Sequence, residues 1–437
     1  MNLLKEELSK ILNEIVVEMV NNITIYFRPS YRIINLTDNS YQIEGYNKPD
    51  YFLSLHVKPN PIFSEYNYSS IDSIINNHYP FFLNDFKTRF GSCRVRKERI
   101  IEVLLVNLLS RGIDKTNYKD KIAQVIEDFI ILIEKKKIHL NVYIPIKNLL
   151  LDENIEYIDF GNGFSVRKLS EAEIEMLYLD KGYDPSLIDI CRYSIVFNTD
   201  ENIIYDNSLI NMRSGDEYLD NEINKIIYSL NITSKGSLGY ETKSYFYDDI
   251  FKYFFSNRST GSLKRIIGTA PKLDDSLVAK WKNYYNILSI IDYSPFQLAL
   301  KKLQEAETRL APEDSIIDSV IGLESLLLND IGNETTRGEM KYRFCINYAI
   351  LFEDEKKEEV FHTAAADYDL RSLIVHGGKI DKDKLKFGKT FIHISNAKEM
   401  ILEMLRICLQ LLLNTPINMN FNSRGFWLKK VLHNNKH

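Results

Sequence analysis

The sequence predicts a multi-domain α+β protein, with a mixed α/β N-terminal region followed by an all-α, up-and-down helical bundle. Three observations predict it. The chain has 437 residues, more than one hydrophobic core usually organises, so two or three domains are expected. In the first half, short Tyr-, Ile- and Phe-rich runs broken by Asn, Asp, Gly and Pro alternate with stretches of helical spacing. From Pro271 onward apolar residues recur at helical spacing almost without interruption, and the short connections favour antiparallel neighbours.

The N-terminal domain is read as residues 1–137. Leu3, Leu4, Leu8, Ile11, Leu12, Ile15, Val16 and Met19 predict an amphipathic helix over 3–20. Residues 23–60 read as strands and turns, YFLSLHVKP at 51–59 being the clearest strand. A dense basic run follows, KTRFGSCRVRKERI at 87–100, in which Lys87, Arg89, Arg94, Arg96, Lys97 and Arg99 interleave with Phe90. One helix then runs to Gly112 and another from Tyr118 to Lys136.

A boundary near 138–145 opens a β-rich, mixed middle region, 138–270. Asn162-Gly163 is a hairpin signal, Ser170 to Glu173 is a capping box, and CRYSIVFNTD at 191–200 reads as a strand. Residues 201–270 read as mixed, with turn signals at SKGSLGY and SNRSTGS. Lys264 and Arg265, beside Gly261 and Gly268, are only loosely like a phosphate loop. The C-terminal domain, 271–415, holds six helical segments, the last read from Phe391 to Asn414. Ile316, Val320, Leu323 and Leu327 form one core face, and Ile401, Leu405, Leu409 and Leu412 another. In the tail, 416–437, Phe426 and Trp427 predict docking rather than a free end.

Composition narrows the function classes. An apolar content of 45% supplies real cores. A net charge of −5 excludes a bulk polyanion binder, so nucleic-acid contacts must come from local basic patches. Cys93, Cys191, Cys345 and Cys408 lie far apart without a CxxC pair, which argues against zinc and disulfides and fits a reducing cytoplasm. The first twenty residues carry acids throughout, unlike a signal peptide, and no apolar run reaches the roughly 18 residues of a membrane span. There is no GxxxxGK[ST], GxSxG, HExxH, Rossmann glycine pattern or His/Cys set at metal spacing, so neither metal nor cofactor is expected.

What remains is Asp367 to Lys379, DYDLRSLIVHGGK. At 100° per residue Asp369, Arg371, Ser372, Val375 and His376 share one arc of a helix, opposite Leu370, Leu373 and Ile374. Gly377 and Gly378 stop the helix, which places His376 in its last turn, where free carbonyls favour the protonated imidazole. An imidazole that titrates near neutrality, close to a permanent cation, suits a phosphate. The same residues admit a plainer reading, with Asp367 and Arg371 as a surface ion pair and His376 as a helix cap. A random sequence of this composition contains about 0.3 Arg-x-x-x-x-His spacings, so the spacing alone does not decide. The basic run also has two readings: a surface holding an RNA backbone while a base stacks on Phe90, or a solvated helix start. His393 reads as a packed residue and His362 as an exposed one beside Glu358.

The flanks add to the motif. YDLRSLIVHGG resembles the RxxxxH signature of the HEPN superfamily, in its Apea-like branch. The likeness extends through PEDSIIDSVIGLESLLL at 312–328 and GEMKYRFCINYAILF at 338–352, and more weakly to 144–177; its specific part covers about 270–415. The resemblance implies an all-helical bundle acting as an endoribonuclease without metal, in anti-phage defence or as a toxin. It implies that Arg371 and His376 are catalytic and that a homodimer or higher homo-oligomer pools two copies of the motif. Helix geometry agrees, since five residues separate Arg371 and His376 by about 140° and about 7.5 Å, too divergent to grip both ends of one phosphate. His376 would act on the ribose 2′-OH or the leaving 5′-oxygen, and Arg371 on the phosphorane charge, leaving 2′,3′-cyclic phosphate and 5′-OH ends.

Supporting roles fall to Glu324, Asp369 and Ser372. Glu324 either orients Arg371 or is simply exposed, and Asp369 influences the charge of His376. Ser372 departs from the Asn, Asp or His that many such nucleases carry after the Arg; it can donate a hydrogen bond but cannot share proton transfer. The implied partners are an RNA substrate and a phage-derived trigger. The alternative is a non-catalytic HEPN module that binds nucleotide or RNA, or a dimerising scaffold.

Overall fold

The computed structural model describes residues 2–22, 26–36, 41–50, 73, 77, 85–94, 97–113, 116–135, 137–179, 191–202, 213–236, 238–240, 242–247, 259–260, 270–328, 337–387, 390–415, 426–427 and 430. The strand read at 51–59 and the loop at Gly261–Gly268 lie outside them. The chain forms a mixed α/β structure of two compact units, each assembled from segments discontinuous in sequence. One comprises Met1–Ile146, Gly161–Asp220 and Tyr240–Leu263; the other comprises Lys147–Phe160, Asn221–Gly239 and Lys264–His437. Among the described residues no helix is long and apolar enough to cross a membrane.

In the first unit, α1 (Asn2–Asn22) buries Leu4, Leu8, Leu12 and Ile15 at helical spacing. Antiparallel β1 (Tyr26–Leu36) and β2 (Tyr41–Asp50) follow, then a second hairpin of β3 (Asp85–Thr88) and β4 (Gly91–Arg94). Helix α2 (Lys97–Ser110) ends before Gly112, whose φ of 68° suits glycine, and α3 (Tyr118–Lys135) packs against both α1 and α2. Strand β5 (Lys137–Lys147) is the long one, with Leu140, Val142 and Ile144 buried. After β6 (Tyr157–Gly161), whose residues up to Phe160 belong to the second unit, the chain turns through Asn162 and Gly163, at φ 52° and 83°, into β7 (Phe164–Lys168). A Cβ on Gly163 would stand 2.3 Å from the Asn198 carbonyl, so this turn requires glycine.

Ser170 and Glu173 form the predicted capping box at the start of α4 (Glu171–Ile174). Strand β8 (Tyr193–Asn202) lies between β5 and β7, antiparallel to both, with Tyr143 opposite Val196 and Val196 opposite Ser165. Helix α5 (Arg213–Thr233) spans a stretch that reads as mixed in the sequence. Its buried Leu219, Ile223, Ile226, Ile227 and Leu230 do keep helical spacing, hidden among Asn, Ser and Gly of low helix propensity. Within the first unit, Gly215 lets the first turn of α5 lie close to the turn at Arg89, since a Cβ there would meet the Arg89 carbonyl at 2.5 Å. Strand β9 (Lys243–Tyr247) pairs antiparallel with β5, so β9-β5-β8-β7 are consecutive strands of the sheet.

In the second unit the helices are α6 (Asp275–Ile290), α7 (Gln297–Thr308), α8 (Pro312–Leu327), α9 (Arg337–Ala349) and α10 (Lys357–Val375). Strands β10 (Leu385–Phe387) and β11 (Thr390–Ile392) then form an antiparallel hairpin before α11 (Ile394–Leu413). That hairpin corrects the reading of an unbroken helix from Phe391: the last helix starts at Ile394, capped by His393, whose Nδ1 accepts from the Ser395 N–H.

Helix α7 runs along α8, α8 along α11 and α9 along α10. A Cβ on Gly322 of α8 would lie 2.8 Å from the Leu405 side chain, so glycine sets the approach of α8 to α11. The predicted core faces are buried, from Ile316 to Leu327 and from Ile401 to Leu412, and Phe426 and Trp427 of the tail join them. Trp281 donates to the Ile226 carbonyl at 2.8 Å and Tyr285 to Glu222 at 2.7 Å, which anchors α6 to the later part of α5. Cys191, Cys345 and Cys408 are buried.

Candidate functional site

Helix α10 buries Ala364, Asp367 and Leu370, spaced three apart, so these define its inner face. Arg371 lies at the margin of that face and is half-buried; His376, one position past the last helical residue, is exposed. The helix end is closed by two hydrogen bonds, from Gly377 N–H to the Ile374 carbonyl at 3.1 Å and from Gly378 N–H to the Leu373 carbonyl at 2.9 Å. This closure needs φ 68° at Gly377, a conformation open to glycine. The sequence signal for the stop was therefore sound, and it leaves the imidazole free of the helix body.

Glu324 of α8 stands against Arg371, its Oε2 3.7 Å from Nη2. That is an ion-pair distance and too long for a hydrogen bond. Burial pushes the Glu324 carboxyl above its ordinary pKa, and the nearby Arg371 only partly offsets this. The guanidinium Nε is buried with no hydrogen-bond partner.

Asp367 overturns the surface ion-pair reading. It is 0% exposed, and neither carboxyl oxygen has a hydrogen-bond partner. Its position on the inner arc with Ala364 and Leu370 turns it into the core, and burial pushes its pKa well above the usual carboxylate range. Asp369 does not address His376; its two oxygens take the Lys341 ammonium of α9 at 2.6 and 2.7 Å. Ser372 is half-buried, and its carbonyl accepts the His376 N–H at 3.1 Å. Of the apolar arc opposite the motif, Leu370 is buried while Leu373 is 41% exposed.

The basic run forms the hairpin β3–β4 and the start of α2. Phe90 is 1% exposed and packs on Phe197 and Tyr245, ring centroids 6.0 and 6.4 Å away, so no base can stack on it. Arg89 is held by Glu201 through Nε at 3.1 Å and Nη2 at 2.7 Å, with its guanidinium near the Phe90 and Tyr218 rings. The turn between two paired strands directs these neighbouring side chains oppositely, one to the core and one to a carboxylate. The side chains of Lys87, Arg94, Arg96, Lys97 and Arg99 lie outside the described residues.

Among the other histidines, His362 is exposed beside Glu358 as read. His393 is exposed, not packed, because it caps α11 and faces Asp383 at 3.5 Å. Among the described residues no group of three or more His, Cys, Asp or Glu is placed to hold a metal ion. Asp367 is the residue that sequence reasoning missed at this site; its spacing of three from Ala364 and Leu370 was the available signal. No family model, curated protein or solved structure matches the chain.

Proposed function

We propose that residues 271–415 form a HEPN-type helical bundle and act as an RNA endonuclease, with Arg371 and His376 as the groups that touch the scissile phosphodiester. The observation that carries this reading is an exposed imidazole at the closed end of the helix that bears a half-buried, acid-backed guanidinium. His376 moves the proton of the 2′-OH or of the leaving 5′-oxygen, and Arg371 stabilises the pentacoordinate phosphate. With Arg371 and His376 about 140° apart around one helix axis, two chains related by a two-fold axis are needed to surround one phosphate. The enzyme works in the cytoplasm, against phage or as a toxin, and answers to a trigger.

The test is incubation of total RNA and a matched DNA with the purified chain in EDTA, beside Arg371→Ala and His376→Ala. RNA-only cleavage with 2′,3′-cyclic phosphate ends, lost in both variants, is expected. Cleavage that survives in both variants would sink the assignment, as would silence in vitro and in phage-infected cells. That second outcome would favour a nucleotide-binding or scaffolding module.

A further inference from the structure

This inference rests on the ribonuclease reading above. Asp367 is enclosed completely, and both of its oxygens lack a partner. A buried polar group without a hydrogen bond is unfavourable, and an aliphatic residue would fill the position at lower cost. A local choice that opposes the fold marks a residue used in another state. One turn along the same helix, the Arg371 Nε is enclosed and equally unpartnered, while Nη2 keeps only the long contact to Glu324. Residues four apart on a helix have Cβ atoms about 5–6 Å apart, within reach of a guanidinium after rotation of its side chain.

Among the described residues, the groups around Asp367 supply no competing cation. Helix α9 presents Cys345 and Tyr348, both held in their neutral forms by burial, and Cys408 of α11 lies near Tyr348. Lys341 is engaged by Asp369 on the exposed side, and α8 contributes the acid Glu324. Arg371 is the cation at hand.

We propose that Asp367 is a positioning residue for Arg371: on giving its proton to solvent, its carboxyl takes the inner edge of the guanidinium, Nε and one Nη. The outer edge is then held toward the scissile phosphate, since the planar fork can serve two anions on two edges. A single 3.7 Å contact to Glu324 fixes neither the plane nor the rotation of that fork.

The test has two arms. In the first, the full-length wild type, Asp367→Asn, Arg371→Gln and the double variant are melted from about pH 5 to about pH 9. At the acid end the two substitutions are expected to add. Toward the alkaline end, which favours the ionised carboxyl, they are expected to depart from additivity by about 2–4 °C in Tm. Arg371→Lys replaces Arg371→Gln if the latter does not fold. Additivity at every pH overturns the pairing, whether or not RNA is cut.

In the second arm, Asp367→Asn is expected to lower kcat on RNA about tenfold or more and to remove an alkaline rise from the pH profile. A variant as active as wild type, with the same profile, overturns the positioning role. If the wild type cuts no RNA in vitro or in phage-infected cells, the ribonuclease reading fails while the melting arm still decides the pairing.

Discussion

Arg406 of α11 offers the sharpest test of how the second unit is held together. It is 2% exposed, and each of its three guanidinium nitrogens donates a hydrogen bond: Nε to the Asn231 carbonyl at 2.9 Å, Nη1 to Glu403 at 2.5 Å, and Nη2 to Glu307. It thereby ties α11 to α5 and α7. Arg406→Met keeps much of the volume and removes every one of these bonds. The Asn231 carbonyl then loses its donor, at about 1–3 kcal/mol, and Glu307 loses its counter-ion inside the fold. Burial already pushes the Glu307 carboxyl up, with Arg406 pulling it down, so the variant leaves Glu307 with a raised pKa and without its main counter-ion.

Breaking a buried pair from one side costs about 3–5 kcal/mol, two to four orders of magnitude in the folded-to-unfolded ratio. With a urea slope of about 2 kcal/mol/M the midpoint falls by about 1.5–2.5 M. The chain has two tryptophans, Trp281 and Trp427, both in the second unit, so tryptophan fluorescence follows this unit by itself. Adding Glu307→Gln should restore part of the loss, because it removes the stranded acid. A midpoint shift under about 0.3 M would refute the reasoning, since no interior network could then depend on Arg406.

Three further outcomes follow from particular residues. Gly377→Ala places no Cβ within 4 Å of any neighbour but holds φ 68°, so it should cost about 1 kcal/mol by backbone strain, and Gly377→Asn less; equal melting of all three would argue against the helix end described. Phe90→Ala should cost about 3–5 kcal/mol and leave RNA affinity unchanged; weaker RNA binding at unchanged stability would restore the stacking reading.

Glu173 is pushed up by burial, but hydrogen bonds from Arg167, Ser170 and Tyr143 outweigh that and hold it at about 2. Its folded pKa lies below its unfolded one, so its stabilisation is present above the ordinary carboxylate range and disappears as pH falls toward about 2. Glu173→Gln should flatten the acid limb of a Tm-against-pH curve, and an unchanged limb would contradict the assignment.

The local parts of this protein were legible because short-range physics writes them. The α10 stop at Gly377 and Gly378, the capping box at Ser170 and Glu173, and the Asn162-Gly163 turn each depend on a few adjacent residues. The core faces of α8 and α11 were legible for the same reason, since a helix repeats its apolar positions along its own sequence. The helix that carries Arg371, with its end at His376, belongs to this group.

Only the tertiary structure decided where charge and aromatic surface end up. Nothing local to KTRFGSC says that Phe90 meets Phe197 and Tyr245 while Arg89 meets Glu201, because those partners lie more than a hundred residues away. Helix α5 escaped detection because low helix propensity masked a spacing that packing rewards. The fate of Asp367 depended on which arc of α10 faces inward, a choice made by its neighbours α8 and α9. An acid four residues before an arginine reads as a surface pair in one dimension; burial made it an unpartnered carboxyl in three.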